Sequence, residues 1–389
     1  MTSEAQRADA LEGYAGSVGR AGPAAPARLA FDSRPATAAE TAAHRGSARS
    51  VAPSPRRIDP DGVVAFEGRA LGSALRLFVG QAHGEPTRGD GIGTWERRSS
   101  RAWTAVEDEF ADVDQALSRF RADSELTGLN RLAGTGALVE VSWRMRTALA
   151  AMHRAARLTD GRFDASVLSD LERLGEHGAT LEADPRPQAT TPAPASGSIP
   201  TRPLARPSFV HAPDVPLDTG GIGKGLALRW AVARAAAIDP DATLLLDAGG
   251  DVAAGGRVRE GGWRVGIEDP VDPEGSPVAV VNISRGAIAT SSISVRNWTS
   301  PDGQRVHHLL DPRTGEPART GLVAVTVAGS DPAWAEVWTK ALFLAGRHRI
   351  GDEARSRGLA AWWVDDEGRL GMTPAARLQC DWVAEERLG

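Results

Sequence analysis

Apolar side chains at Trp103, Val106, Phe110, Val113, Leu117 and Phe120 recur every three or four residues, a spacing that an α-helix gathers onto one face. The opposite face carries Glu107, Asp108, Asp112 and Asp114, so residues 102–120 predict a helix that must bury one side against other structure. A second helix is expected after Ser142 as its N-cap, burying Met145, Leu149 and Met152. A third follows Gly223, with Leu226, Trp230 and Ile238 on its apolar side. The fourth runs from about Pro332 to Leu344 and carries Val337, Ala341 and Leu344. Between them, 73–79, 242–247, 277–283, 322–328 and 360–364 read as strands, rich in Val, Leu, Ala or Trp and bounded by Gly, Asp or Pro. This alternation implies a mixed α/β fold of one or two closely packed subdomains, and no repeat of solenoid period is present.

Composition marks the edges of the folded part. Residues 1–57 are rich in Ala, Pro, Ser, Arg and Gly without periodicity, and cannot bury enough apolar surface to offset the entropy of ordering. They are expected to be a disordered tail ahead of a domain spanning 58–389, itself interrupted by a flexible Pro-rich insertion at about 178–208. The Gly- and charge-rich stretch 83–100 is expected to link a strand to a helix.

The net charge of −5 and the lack of any long apolar run argue against nucleic-acid binding and against a membrane span. A single cysteine, Cys380, excludes a disulfide framework within the chain. With no secretory signal pattern in 1–57, a cytoplasmic location is expected.

Two segments can carry chemistry. In LDTGGIGKGLA (217–227), glycines at the mouth of a helix let backbone N–H groups approach a phosphate, and Lys224 adds a compact charge. Neither standard phosphate motif fits, because Asp218 and Gly225 stand where a Walker A loop needs Gly and Ser or Thr, and Leu226 where the dinucleotide motif needs Gly. Alone, the segment reads better as a Gly-rich turn before an ordinary amphipathic helix. In VHHLLDPRTGEPA (306–318), a histidine is the natural proton acceptor near neutral pH and Asp311 lies close in sequence, though DPRTG also reads as a plain turn. A metal held by both His307 and His308 is disfavoured, since neighbours on a strand point to opposite faces.

Taken in order, ALGS (70–73), LSRFRADSELTGLN (117–130), GRFDASV (161–167), LDTGGIGKG (217–225), LLDAGGD (245–251), IATSS (288–292), HHLLDPRTG (307–315) and AEVWTKALFLAG (335–346) resemble the ApbE family of flavin transferases. The resemblance spans about Ala70 to Leu344. It implies a two-subdomain α/β fold with FAD in the cleft between the subdomains, and transfer of FMN from FAD onto a Ser or Thr hydroxyl of a target protein, with release of AMP. By the same resemblance Leu71 and Phe120 line the flavin pocket, with Phe120 where the family often has Tyr, and Arg162, Phe163 and Asp164 form a cofactor-contacting turn. Asp218, Lys224 and Leu309 also match FAD-contacting positions, and His308 matches the family's catalytic histidine, with Asp311 in support. A flavin-binding protein without catalysis and an FAD pyrophosphatase releasing FMN and AMP are the alternative readings.

One segment departs from the family pattern. Where members read ADALATAL, with the Asp and the Thr helping a backbone carbonyl to hold Mg²⁺, this chain has AEVWTKAL. The resemblance thus gives Glu336 and the carbonyl of Gly221 as metal ligands, but Lys340 replaces the Thr, and a protonated ammonium has no lone pair to offer. Either Glu336 and Lys340 form an ordinary surface (i, i+4) pair, or Lys340 projects into the metal position and substitutes for the ion. Composition favours the second: of 45 basic side chains only Lys224 and Lys340 are lysines, so Arg is the residue this chain uses where a surface cation suffices.

Overall fold

Leu244, Leu245 and Leu246 sit in a strand every residue of which is buried. Successive side chains of a strand point to opposite faces, so such a strand needs cover on both. The computed structural model, which describes residues 57–58, 62–81, 92–178 and 208–389, shows how that cover is built. Its central sheet has nine strands: β1 Arg57–Ile58, β2 Val64–Ala70, β3 Ser73–Gln81, β4 Ala242–Ala248, β5 Asp251–Gly256, β6 Gly286–Ser292, β7 Leu322–Gly329, β8 Ala360–Asp365 and β9 Leu370–Met372. They lie side by side in chain order, and every neighbouring pair is antiparallel.

Helices cover one face and a second sheet the other. The helical layer contains α1 Ile92–Leu117, α2 Trp143–Leu158, α3 Gly223–Ile238 and α4 Pro332–Ala345. Leu75, Leu77, Leu244 and Leu246 pack with Trp103, Val106 and Phe110 of α1 and with Leu226 of α3. Farther along the same face, Val325 and Val327 meet Leu342 and Phe343 of α4. Leu245, Val252 and Trp362 point the other way, against the three-stranded sheet of 263–267, 279–283 and 380–383. Each large apolar side chain so buried contributes roughly 1.5–3 kcal/mol.

The five strands expected from sequence are present to within two residues at each end. Ser142 caps α2, its side chain accepting from Met145 N, and Met145 and Met152 are buried as expected. Helix α1 differs from its expected bounds. It begins ten residues earlier, at Ile92, because Trp95 and Ser99 extend the buried face, so 92–100 is helix and not linker. It ends at Leu117, whose carbonyl accepts from Thr219 Oγ1 at 2.7 Å, and this leaves Phe120 beyond the helix and 58% exposed. The tail and the Pro-rich insertion lie outside the described residues except at their edges. Among the described residues no helix is long and apolar enough to cross a membrane.

Candidate active site

A pocket opens in the helical layer where four chain segments converge: the turn after α2, the Gly-rich loop before α3, the stretch 296–312, and α4. One part of its wall is apolar, from Phe163, Val167, Leu171, Leu309 and Leu344. Arg162, Arg296 and Lys340 add basic groups to the lining, and Asp164 and Asp218 add acidic ones.

The turn and the Gly-rich loop run side by side, tied by Asp218 N donating to Ala165 O at 2.7 Å. Arg162 is fixed by Glu353 at 2.5 Å, and Asp164 accepts from Ser166 N within its own turn. Gly221 permits the close approach of Phe163, because a Cβ there would lie 2.7 Å from the ring. Gly225 does the same for α4, where a Cβ would lie 2.5 Å from Ala333 Cα.

No side chain of its own N-cap, Ile222, serves the start of α3. Glu336 from α4 serves it instead: Oε2 accepts from Gly225 N at 2.8 Å, a buried carboxylate at a helix N-terminus. Lys340 Nζ stands 3.4 Å from Oε1 of the same carboxylate and 3.3 Å from the Glu336 carbonyl. Both side chains are shielded, at 2% and 17% exposure, so this (i, i+4) pair is no surface pair. Burial raises the Glu336 pKa against the pull of Lys340 and Lys224, and burial lowers that of Lys340 against Glu336.

Lys224 binds the buried Asp251, whose other oxygen accepts from Thr290 N at 2.9 Å. Burial opposes the Lys224 charge, but the carboxylates of Asp251 and Glu336 outweigh it and raise the pKa. Lys224 is not among the residues that line the pocket, and its side chain is 31% exposed.

His308 lines the pocket, and its Nδ1 lies 3.2 Å from the carbonyl of Arg296. A carbonyl only accepts, so Nδ1 carries the proton and Nε2 is left with a lone pair. Burial, then the charge of Arg296, holds the pKa well below 6.5 and keeps the ring neutral. Asp311 does not reach this histidine. It forms a fork with Arg313, at 2.9 and 2.6 Å, which lowers its pKa. The neighbouring His307 packs against Phe343 with the two rings nearly perpendicular.

Leu71 and Phe120 stand outside the pocket lining. Leu71 and Gly72, both at positive φ, form the tight turn between β2 and β3. That turn adjoins the one before β5, since Gly249 N donates to Ala74 O. Phe120 lies under the guanidinium of Arg119, 4.3 Å from its ring centre.

Sequence reasoning missed the charges that organise the rim. Arg119, nearly buried, joins Asp218 at 3.2 Å and Glu176 at 3.2 Å, and Glu176 also binds Arg296. A continuous chain thus runs from Asp218 through Arg119 and Glu176 to Arg296, whose carbonyl sets the His308 tautomer. Nothing in the sequence separates these residues from ordinary surface charges. Asp251 was within reach, because it closes the LLDAGGD segment.

The residues present do not suit Mg²⁺ at the Glu336–Gly221 position. Magnesium asks for a near-octahedral set of oxygens at about 2.0–2.1 Å. Here one Glu336 oxygen is used by a backbone N–H and the other faces an ammonium. Thr339, the nearest hydroxyl on α4, points to the sheet: it donates to Glu336 O at 2.7 Å and bonds Ser291 at 2.6 Å. Among the described residues, no group of three or more His, Cys, Asp or Glu side chains is arranged to hold a metal.

Comparison with known proteins gives one consistent result. The model of the ApbE family matches residues 90–363. The FAD:protein FMN transferase of Salmonella typhimurium is 29% identical over 311 residues, 78% of this chain and 84% of that protein. That of Escherichia coli is 27% identical over 323 residues, covering 81% and 88%. Among solved structures, the ApbE protein of Thermotoga maritima superposes with a TM-score of 0.64 at 25% identity, covering 82% of this chain and 99% of its own.

Proposed function

This chain belongs to the ApbE family, and from that premise we propose its reaction. It is an FAD:protein FMN transferase, as its relatives are named, and we infer that its acceptor group is a Ser or Thr hydroxyl of a target protein. The acceptor oxygen bonds to the FMN-side phosphorus of FAD. The bond from that phosphorus to the bridging oxygen breaks, and AMP leaves with that oxygen.

The observation that carries the residue assignment is the bond between His308 Nδ1 and the Arg296 carbonyl, which leaves Nε2 as the free proton acceptor in the pocket. His308 takes the hydroxyl proton as general base. Its depressed pKa keeps it in the competent neutral form across the physiological range. Lys340 and Arg296 face the phosphates and stabilise the charge that develops on their oxygens. Phe163 and Leu309 pack the apolar part of the cofactor, while Arg162, Asp164 and Asp218 fix its polar edges. Lys224 acts by holding Asp251 beside the start of α3. Asp311 shapes the turn that follows His308 and Leu309.

The test incubates full-length protein with FAD and an acceptor protein bearing a candidate Ser or Thr. Flavin fluorescence that stays with the denatured acceptor, and vanishes when the hydroxyl residue is changed to Ala, is the expected outcome. Free FMN and AMP without labelled acceptor would show a pyrophosphatase instead.

A further inference from the structure

We propose that Lys340 replaces the divalent cation of the site, so that this chain binds FAD and transfers FMN without a metal. The inference rests on the transferase reading for its reaction, but concerns what neutralises the pyrophosphate.

Three observations carry it. First, the ammonium is already paired with the carboxylate oxygen that an ion would need. Lys340 Nζ faces Glu336 Oε1, its Cδ and Cε lie 3.5 Å from the Cβ direction of Gly221, and the side chain lines the pocket beside Arg296 and His308. An ion bound to Glu336 Oε1 would have to displace a cation already paired there. Second, the other side-chain oxygens of α4 beside it are committed: Glu336 Oε2 to Gly225 N–H, and the Thr339 hydroxyl to the Glu336 carbonyl and Ser291. Third, the residue type is informative. This chain has 43 arginines and two lysines, and both lysines stand on the buried carboxylates at this junction. A compact ammonium presents a point charge, as a metal ion does, whereas a planar guanidinium spreads its charge over a fork.

Electrostatics explain why one substitution is not the whole change. Exchanging a divalent ion for an ammonium lowers the local charge by one. Arg296, on the same wall, supplies a second cation, and its carbonyl holds His308. A pair that served only to pin α4 to α3 would have no reason to extend to the pocket wall, as Lys340 does.

The experiment strips the full-length protein of metals and measures FAD binding by flavin fluorescence, and transfer to an acceptor, in EDTA and in Mg²⁺. FAD affinity and transfer rate are expected to agree within about twofold in the two conditions, far less than the tenfold that 1.4 kcal/mol would produce. Mg²⁺ alone, titrated calorimetrically into the FAD-free protein, should give no saturable heat. A loss of about tenfold or more in EDTA that Mg²⁺ restores would overturn the inference, as would saturable Mg²⁺ binding.

Lys340→Thr removes the ammonium and adds a hydroxyl, so its FAD binding should become Mg²⁺-dependent. Indifference to Mg²⁺ in that variant would count against the exchange of ion for ammonium. Because a lone change at Lys340 leaves Glu336 as a buried uncompensated carboxylate, the double variant Glu336→Gln, Lys340→Met keeps the test alive if the single one does not fold. It should bind FAD about tenfold or more weakly with or without Mg²⁺, the loss of a charged phosphate contact; undiminished binding would overturn the inference. Tight, EDTA-indifferent FAD binding with no labelled acceptor would sink the transferase reading and leave the metal replacement standing.

Discussion

At the junction of α3 and α4 each charge is held in place by a buried partner: Lys224 by Asp251, Lys340 by Glu336, and the end of α3 by Glu336 again. At the rim, the same residue types at Phe120, Arg121, Asp123 and Arg313 lie open to water. Asp311 closes on the exposed Arg313, Arg121 pairs with Asp114 and Asp123, and Phe120 presents its ring to solvent. The junction is therefore a place where charge identity is fixed by the fold. Rim charges are screened and pay rotamer entropy, so little stability rests on them.

The largest effect belongs to Glu336→Ala. It removes the acceptor for Gly225 N–H and the partner of Lys340 together, leaving a buried cation unpaired, which costs about 3–5 kcal/mol. Urea unfolding should show this directly, while Asp311→Ala, the rim counterpart, should cost under about 1 kcal/mol. Equal losses at the two positions would abolish the distinction between junction and rim.

His308→Ala should leave the fold and FAD affinity nearly unchanged while slowing transfer by roughly 10²–10⁴-fold, the usual contribution of a general base. Its pH dependence has a definite sign. The neutral ring is the active form, and burial together with Arg296 lowers the pKa, so the acid limb of the transfer rate should lie well below pH 6.5. An acid limb at or above that value would place a different group in the role of base.

Glu176→Gln tests the connection between the two regions. Glu176 holds Arg119 and Arg296, and the Arg296 carbonyl sets the His308 tautomer, so Glu176 is a positioning residue. Without its charge, kcat should fall by about tenfold with little change in KM for FAD, as expected when a catalytic group shifts but binding contacts remain. A change in KM alone would make Glu176 a binding residue and detach it from His308.

Most of the scaffold was legible because it depends on periodicity. The 3.6-residue spacing through 102–117 and the short β-branched runs fix which faces are buried, and the helices and strands follow. That the nine strands lie in chain order and pair antiparallel was not legible, since burial on both faces erases the alternation that would reveal direction, as in Leu244 to Leu246. The site divides similarly. Gly221, Phe163, His308 and Lys340 were found because their segments have a recognisable order, and the structure brings them to one pocket. Arg119, Glu176 and Arg296 were not, because a charged loop residue looks the same in sequence whether it meets water or a partner more than fifty positions away.

Phe120 is the finest test of the boundary. One face of its ring is taken by the Arg119 guanidinium, and that guanidinium also binds Asp218 in the pocket wall, so the ring is anchored within one side chain of the site. Its free face is available to a planar ligand, and stacking of that kind is worth about 0.5–1.5 kcal/mol. Phe120→Ala should therefore weaken FAD binding by about two- to tenfold, with Phe120→Tyr close to wild type and both variants unfolding at the wild-type urea concentration. The stability half of this follows from exposure, because a side chain already 58% open to water gains little from folding. The affinity half follows from the anchor. An unchanged FAD affinity in Phe120→Ala would leave the ring as a solvated cap on Arg119 and draw the limit of the site at Asp218.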